Sequence, residues 1–247
     1  MRNRSDLCYK WVMPVKFKLK EYCEGGVYHI YNRGIDGREV FVTGEDYEMW
    51  INLMQRYLGE WQEKQDPRFK GERPYILRHK KEMNLSGQVR VLAYCLMPDH
   101  FHLVIRQEVK NGITQLMRRL MTNYVMYFNR KYKRSGMLFE NVYRAVLLPD
   151  DDLAVWMTKY VHTNPAVKTV KRFGLVETSN AFSPEYYLYS SYQNFLGERH
   201  NDWVDSEWVG ERLKKLAMKF GQEVGYREFV EDNQNWKMPE MRKYLLE

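Results

Sequence analysis

Two spacings of apolar residues organise the chain. VYHIYN (27–32) is rich in β-branched and aromatic residues and reads as a strand. Asn32-Arg33-Gly34 and Asp36-Gly37 follow as turn signals. Thr43 opens a helix, with Asp46 three residues on as a capping box. Tyr47, Trp50, Ile51, Met54 and Leu58 keep helical spacing, so one face of that helix is buried. VRVLAYCLM (89–97) is a nearly continuous apolar strand. Pro98-Asp99 interrupts it, and HFHLVI (100–105) resumes as a second one. Such runs place strands near the centre of a sheet covered by helices. A helix is predicted from Gly112 to Tyr132, with Ile113, Leu116, Met117, Leu120, Tyr124 and Phe128 as its stripe. FENVYRAVLL (139–148) reads as a further strand. Pro149-Asp150-Asp151-Asp152 starts the next helix, its acids favourable at the N-terminal dipole. That helix carries Leu153, Trp156, Met157, Tyr160 and Val161 on one face and is expected to stop near Asn164-Pro165. A turn-rich aromatic stretch (183–197) and helical patterns over 205–220 and 226–232 complete the chain. The order predicts an α+β sheet with helices packed on it and a helical C-terminal extension.

Composition narrows the class. Hydrophobic residues make up 44% and aromatics 15% of 247 residues, enough for a core, which excludes wholesale disorder. Mean hydropathy is −0.66, and no apolar run reaches the ~20 residues needed to cross a bilayer. The basic N-terminus lacks the apolar segment of a secretory signal. Cys8, Cys23 and Cys95 are scattered and form no CxxC pair, so neither a disulfide framework nor a cysteine zinc site is expected. A cytoplasmic protein without membrane contact fits these features. Lys+Arg is 39 against Asp+Glu 32, a formal charge of +7 that permits an anionic partner without proving one.

Chemistry concentrates in two segments. In MPDHFH (97–102), His100 and His102 are two apart, so on a strand both imidazoles share a face and can share one divalent cation. Two structural histidines bonded to backbone explain the same spacing equally well. In YVHTNP (160–165), Tyr160 and Asn164 are four apart and share one helical face. Here too there are plain alternatives: packing for the tyrosine and helix termination for an asparagine before proline. His162 sits two residues from Tyr160, roughly 200° around the helix, and so lies on another face.

Taken together, MPDHFHLVI resembles the histidine–hydrophobe–histidine (HUH) motif of the single-tyrosine transposases. YVHTNP resembles the family's tyrosine-bearing helix. YHIYNRG, YFNRKYKRSGMLF and the SSY of Ser190 to Tyr192 add further likeness, closest to the REP-associated tyrosine transposases. The likeness runs from about Val27 to Gly197, with the motifs in the family order. Where the family often has Gln-Gly-Arg after Leu-Phe, this chain has Glu140-Asn141-Val142. The resemblance implies an antiparallel-rich sheet of the ferredoxin-like, RRM-like kind. It also implies cleavage and rejoining of single-stranded or hairpin DNA through a 5′-phosphotyrosine intermediate. Tyr160 would be the nucleophile, with His100, His102 and Asn164 holding Mg²⁺ or Mn²⁺. DNA contacts would fall to Arg33, Arg118, Arg119, Tyr127, Arg130, Lys131, Tyr132, Lys133, Arg134 and Arg144. The implied division is a basic extension (1–26), a catalytic domain (27–176) with a polar insertion (62–88), and an aromatic-rich, helical remainder (177–247). Both monomers and homodimers occur in such proteins. A metal-dependent phosphoesterase without a covalent step, and a catalytically silent DNA-binding relative, are the rival functions.

Overall fold

The computed structural model describes residues 22–60, 83–173 and 184–232, together with 241 and 244. The basic extension up to residue 21, and most of the polar insertion, lie outside the described residues.

Four strands form the sheet: β1 (Val27–Arg33), β2 (Val89–Met97), β3 (His100–Gln107) and β4 (Arg144–Leu148). Their order is β2-β3-β1-β4, and every paired neighbour is antiparallel. Helix α1 (Gly44–Leu58) connects β1 to β2, and α2 (Gly112–Lys131) connects β3 to β4. This is a βαββαβ chain in which β3 is inserted between β1 and β2. It matches the α+β expectation.

Alternation along β3 divides the core into two layers. Phe101, Leu103 and Ile105 face α1 and α2, where Trp50, Met54, Leu116 and Tyr124 close over them. Val104 and its neighbours on the other face meet a third helix, α3 (Asp151–Phe173). A register shift in β2 between Val91 and Ala93 turns both Leu92 and Ala93 toward α3. The C-terminal part backs α3. It comprises α4 (Tyr192–Phe195), α5 (Ser206–Lys219) and α6 (Tyr226–Glu231). Trp156 of α3 packs edge-on to Phe229 of α6 at 5.2 Å. Backbone bonds from Leu96 to Tyr189 and from Asp205 to Val91 lay the preceding segments along β2, covering that edge of the sheet.

Helix starts follow their caps. Asp46 Oδ2 accepts from the Thr43 and Val42 amides at 2.9 Å each, the capping box predicted for α1. Asp150 Oδ1 accepts from the Leu153 amide at 2.8 Å and caps α3.

Three expectations need correction. The strand predicted over 139–148 is confined to Arg144–Leu148. Before it, the amide of Asn32 donates to the carbonyls of Asn141 and Val142, so a side chain replaces the ladder there. Helix α3 does not stop at Pro165 but continues to Phe173. Proline removes one amide donor from the helix, and neighbouring turns carry it through. Cys23 is disulfide-bonded, against the reading of the three scattered cysteines.

Candidate active site

The site grows from the period of β3. His100 and His102 point to the α3 face, both fully buried, with ring centroids 4.9 Å apart at 86°. In the β1–β3 register Tyr31 lies opposite His102 and His29 opposite Val104, so His29 and Tyr31 share this face. His29 Nε2 lies 2.9 Å from His102 Nδ1, and His29 Nδ1 lies 2.7 Å from the main-chain carbonyl of Tyr244. Burial pushes the His29 imidazole down to about 4, partly offset by the Tyr244 carbonyl. His100 Nδ1 donates to Asp99 Oδ1 at 2.5 Å, and Arg33 pairs with the other carboxylate oxygen at 3.3 Å.

The hairpin tip that carries Asp99 is itself pinned. Gly34 donates its amide to the Asp99 carbonyl at 2.7 Å, and Val40 and Phe41 donate to Pro98 at 2.7 and 3.0 Å. A Cβ on Gly34 would lie 2.1 Å from the Arg38 carbonyl oxygen, so only glycine lets the 34–38 turn close this tightly.

Helix α3 lays its own residues over this face. The Tyr160 ring centroid is 5.6 Å from that of His102, at 84°, and 6.2 Å from that of His29. Tyr160 is half-buried. Asn164 follows one turn later and is in helical register because α3 runs on through Pro165. It is buried, and its Oδ1 has no hydrogen-bond partner among the described residues. Leaving such a carbonyl buried and unsatisfied costs about 1–3 kcal/mol. Among the described residues no trio of His, Cys, Asp or Glu side chains is spaced to hold a metal ion. The available set is instead two imidazoles and one carboxamide oxygen, a mixed N/O set that suits a divalent cation needing further oxygen ligands. The buried, unsatisfied Asn164 oxygen fits that use.

His162 has other work. Its Nδ1 faces the Tyr226 hydroxyl at 2.8 Å and its Nε2 the Ser191 hydroxyl at 2.7 Å. Tyr226 in turn donates to Thr158 and Thr158 to the Val155 carbonyl, while the Tyr94 amide donates to Ser191. His162 thus ties α3 to β2 and α6, on a different side from Tyr160.

The proposed DNA contacts fall in two groups. Arg33 and Arg144 flank the histidine face. Arg144 is exposed and lies opposite Tyr31, which lies opposite His102, so the three align across the sheet. The remainder sit on or just beyond α2, which packs on the other face of the sheet. There Tyr127, Lys131 and Tyr132 all bond the buried carboxylate of Asp46, at 3.1, 2.7 and 2.7 Å. Arg119 donates to Met83 and Gln115, and Arg134 to Asn129 and Met137. Arg118, Arg130 and Lys133 are exposed. Sequence reading did not single out His29 or the bond from Asp99 to His100. The signal for His29 was present: it is two residues from Tyr31 in a strand whose odd positions face α3.

Residues 64–164 match the family described as Transposase IS200 like. No curated protein matches the chain. Among solved structures, the chain is similar to a REP-associated tyrosine transposase bound to a REP hairpin. The two share 14% identity over 78% of this chain and 93% of the other, with a TM-score of 0.46. No helix among the described residues is long and apolar enough to cross a membrane. The matched segment holds His100, His102, Tyr160 and Asn164, and over it the chain is similar to the IS200-like transposases.

Proposed function

We propose that this protein cleaves and rejoins single-stranded DNA by a covalent route, acting on hairpin-bearing substrates. The observation that carries the reading is the Tyr160 ring 5.6 Å from His102, although 58 positions separate them in the chain (160 − 102). In cleavage the Tyr160 Oη attacks the scissile phosphorus. A tyrosyl O–P bond forms as the bond to the 3′ oxygen breaks. The phenolic proton passes to solvent or a base, and the departing 3′ oxygen takes one up. Rejoining is the same exchange in reverse, with a 3′ hydroxyl displacing the tyrosine, so phosphodiester energy is conserved.

A phenol titrates near 10 and needs help as a nucleophile at neutral pH. His100, His102 and Asn164 would hold a divalent ion, Mg²⁺ or Mn²⁺. When bound, that ion supplies positive charge to the scissile phosphate. Asn164 and Tyr160 ride on one helical face, so Asn164 couples ion position to nucleophile position. Asp99 orients His100. Arg33 and Arg144 would grip backbone phosphates beside the histidine face, and the exposed Arg118, Arg130 and Lys133 would contact DNA from the opposite face of the sheet.

The test is incubation with Mn²⁺ and labelled single-stranded hairpins from around the coding sequence, resolved on denaturing gels. Wild-type protein is expected to give a covalent adduct. Tyr160→Phe is expected to give none while still shifting hairpin DNA on a native gel. Cleavage retained by Tyr160→Phe refutes the covalent route and favours a phosphoesterase. No adduct and no cleavage by the wild type on any hairpin favours a silent DNA-binding relative.

A further inference from the structure

We infer that His29 is a positioning residue: held by the main-chain carbonyl of Tyr244, it fixes the proton of His102 on Nδ1 and so directs the Nε2 lone pair of His102 toward the ion. This rests on the metal reading proposed above. The chain of bonds has one self-consistent direction. A carbonyl only accepts, so His29 Nδ1, 2.7 Å from the Tyr244 oxygen, carries hydrogen. Both rings are fully buried, which disfavours a second proton on either. His29 Nε2 is then an acceptor. Across the 2.9 Å contact, His102 Nδ1 must be the donor. A neutral His102 with its proton on Nδ1 has its lone pair on Nε2. Asp99 does the same for His100, whose Nδ1 faces a carboxylate at 2.5 Å. The two neighbouring imidazoles therefore have separate partners, from β1 and from the hairpin tip, and each is aligned through the same nitrogen.

The arrangement also links the extreme C-terminal part to the chemistry. Tyr244 reaches His29 through its backbone oxygen, while its ring packs against the core on the α3 side of the sheet. Replacing His29 removes the acceptor for His102 without touching any proposed ligand.

The experiment uses the full chain and reads two quantities besides activity. Long-range ¹H–¹⁵N spectra of metal-free protein report the His102 tautomer, assigned by the signal lost in His102→Gln. Mn²⁺ titration followed by water-proton relaxation reports affinity. Wild-type His102 is expected as the Nδ1–H form. His29→Phe, which keeps a flat ring but no acceptor, is expected to lose that single tautomer and to bind Mn²⁺ about 10–100-fold more weakly. His29→Gln, whose carbonyl can stand in for Nε2, is expected to recover most of the affinity. Thermal melting identifies any variant that fails to fold, and the wild-type tautomer then decides the matter alone. A wild-type proton on Nε2 of His102 overturns the inference. So does His29→Phe binding Mn²⁺ within twofold of wild type. Wild-type protein that binds no Mn²⁺ removes the metal part and with it the role in ion binding, whereas failure of DNA cleavage with Mn²⁺ binding intact counts against the proposed function alone.

Discussion

At Asn164, stability and the proposed function pull in opposite directions. A buried carboxamide oxygen with no partner among the described residues weakens the fold unless something else uses it. Asn164→Leu replaces the amide with an apolar group of similar size. It is expected to raise stability by about 1 kcal/mol in metal-free protein. The same change is expected to weaken Mn²⁺ binding by about tenfold or more, at least the effect typical of an outer-shell partner. Thermal melting and Mn²⁺ titration on one preparation check both. A destabilised Asn164→Leu with unchanged Mn²⁺ affinity would show that the oxygen serves packing. Gly34 makes the complementary case of a residue that nothing can replace. Its missing Cβ lets the 34–38 turn close onto the Arg38 carbonyl, so Gly34→Ala is expected to cost several times the ~1 kcal/mol of an ordinary substitution. Equilibrium urea unfolding measures that cost.

At the level of elements, Asp46 joins two helices. It caps the start of α1 and receives Lys131, Tyr127 and Tyr132 from the end of α2. Burial alone would raise its carboxyl, but the bonds from Lys131, Tyr132 and the Thr43 and Val42 amides outweigh it and hold the group at about 2. A depressed carboxyl stabilises the fold above its unfolded value near 4 and loses that contribution as the pH falls toward 2. The shift corresponds to about 2 kcal/mol. Asp46→Asn is therefore expected to cost about 2 kcal/mol at pH 7, and the difference from wild type is expected to shrink by pH 2.5, read by urea unfolding at both values. A constant difference would show that the charge is irrelevant. This hub also shows what sequence reading could and could not see. The capping box at Thr43 was plain from four residues. The commitment of Lys131 and Tyr132 to Asp46 was not, because it joins residues 85 and 86 positions apart. Strand periodicity disclosed the shared face of His100 and His102, and helical spacing that of Tyr160 and Asn164. Pro165 misled because proline's local rule ends helices, whereas α3 runs through it to Phe173. The role of His29 stayed hidden because its partners come from β3 and from the last residues of the chain.

Across the whole molecule, α3 is held between a chemical face and a structural one. Tyr160 and Asn164 belong to the sheet side. Behind them, Lys159 donates to the carbonyls of Phe229 and Asp232 at 2.8 Å each, and His162 bridges Ser191 and Tyr226. The C-terminal helices therefore set the position of the tyrosine helix. His162 makes this dependence measurable. Burial, with a smaller contribution from the Arg199 charge, pushes its imidazole down to about 3. The unfolded chain titrates near 6.5, so between these values it carries one proton more than the folded protein. Stability is then full above pH 6.5 and falls as the pH drops below it, by about 1.4 kcal/mol per pH unit for this one group. His162→Gln retains hydrogen-bonding groups but cannot take up a proton. It is expected to be less stable than wild type at pH 7.5 and to lose less on acidification, so the two curves converge toward pH 5. Urea unfolding at pH 7.5, 6 and 5 in a chelating buffer gives the comparison, and subtracting the variant removes the contribution of His29, which titrates in the same window. Parallel curves would mean that His162 is not the buried, neutral tie between α3 and the C-terminal helices. Convergence would mean that mild acid weakens the tie by which His162 joins the helix bearing Tyr160 to the C-terminal helices.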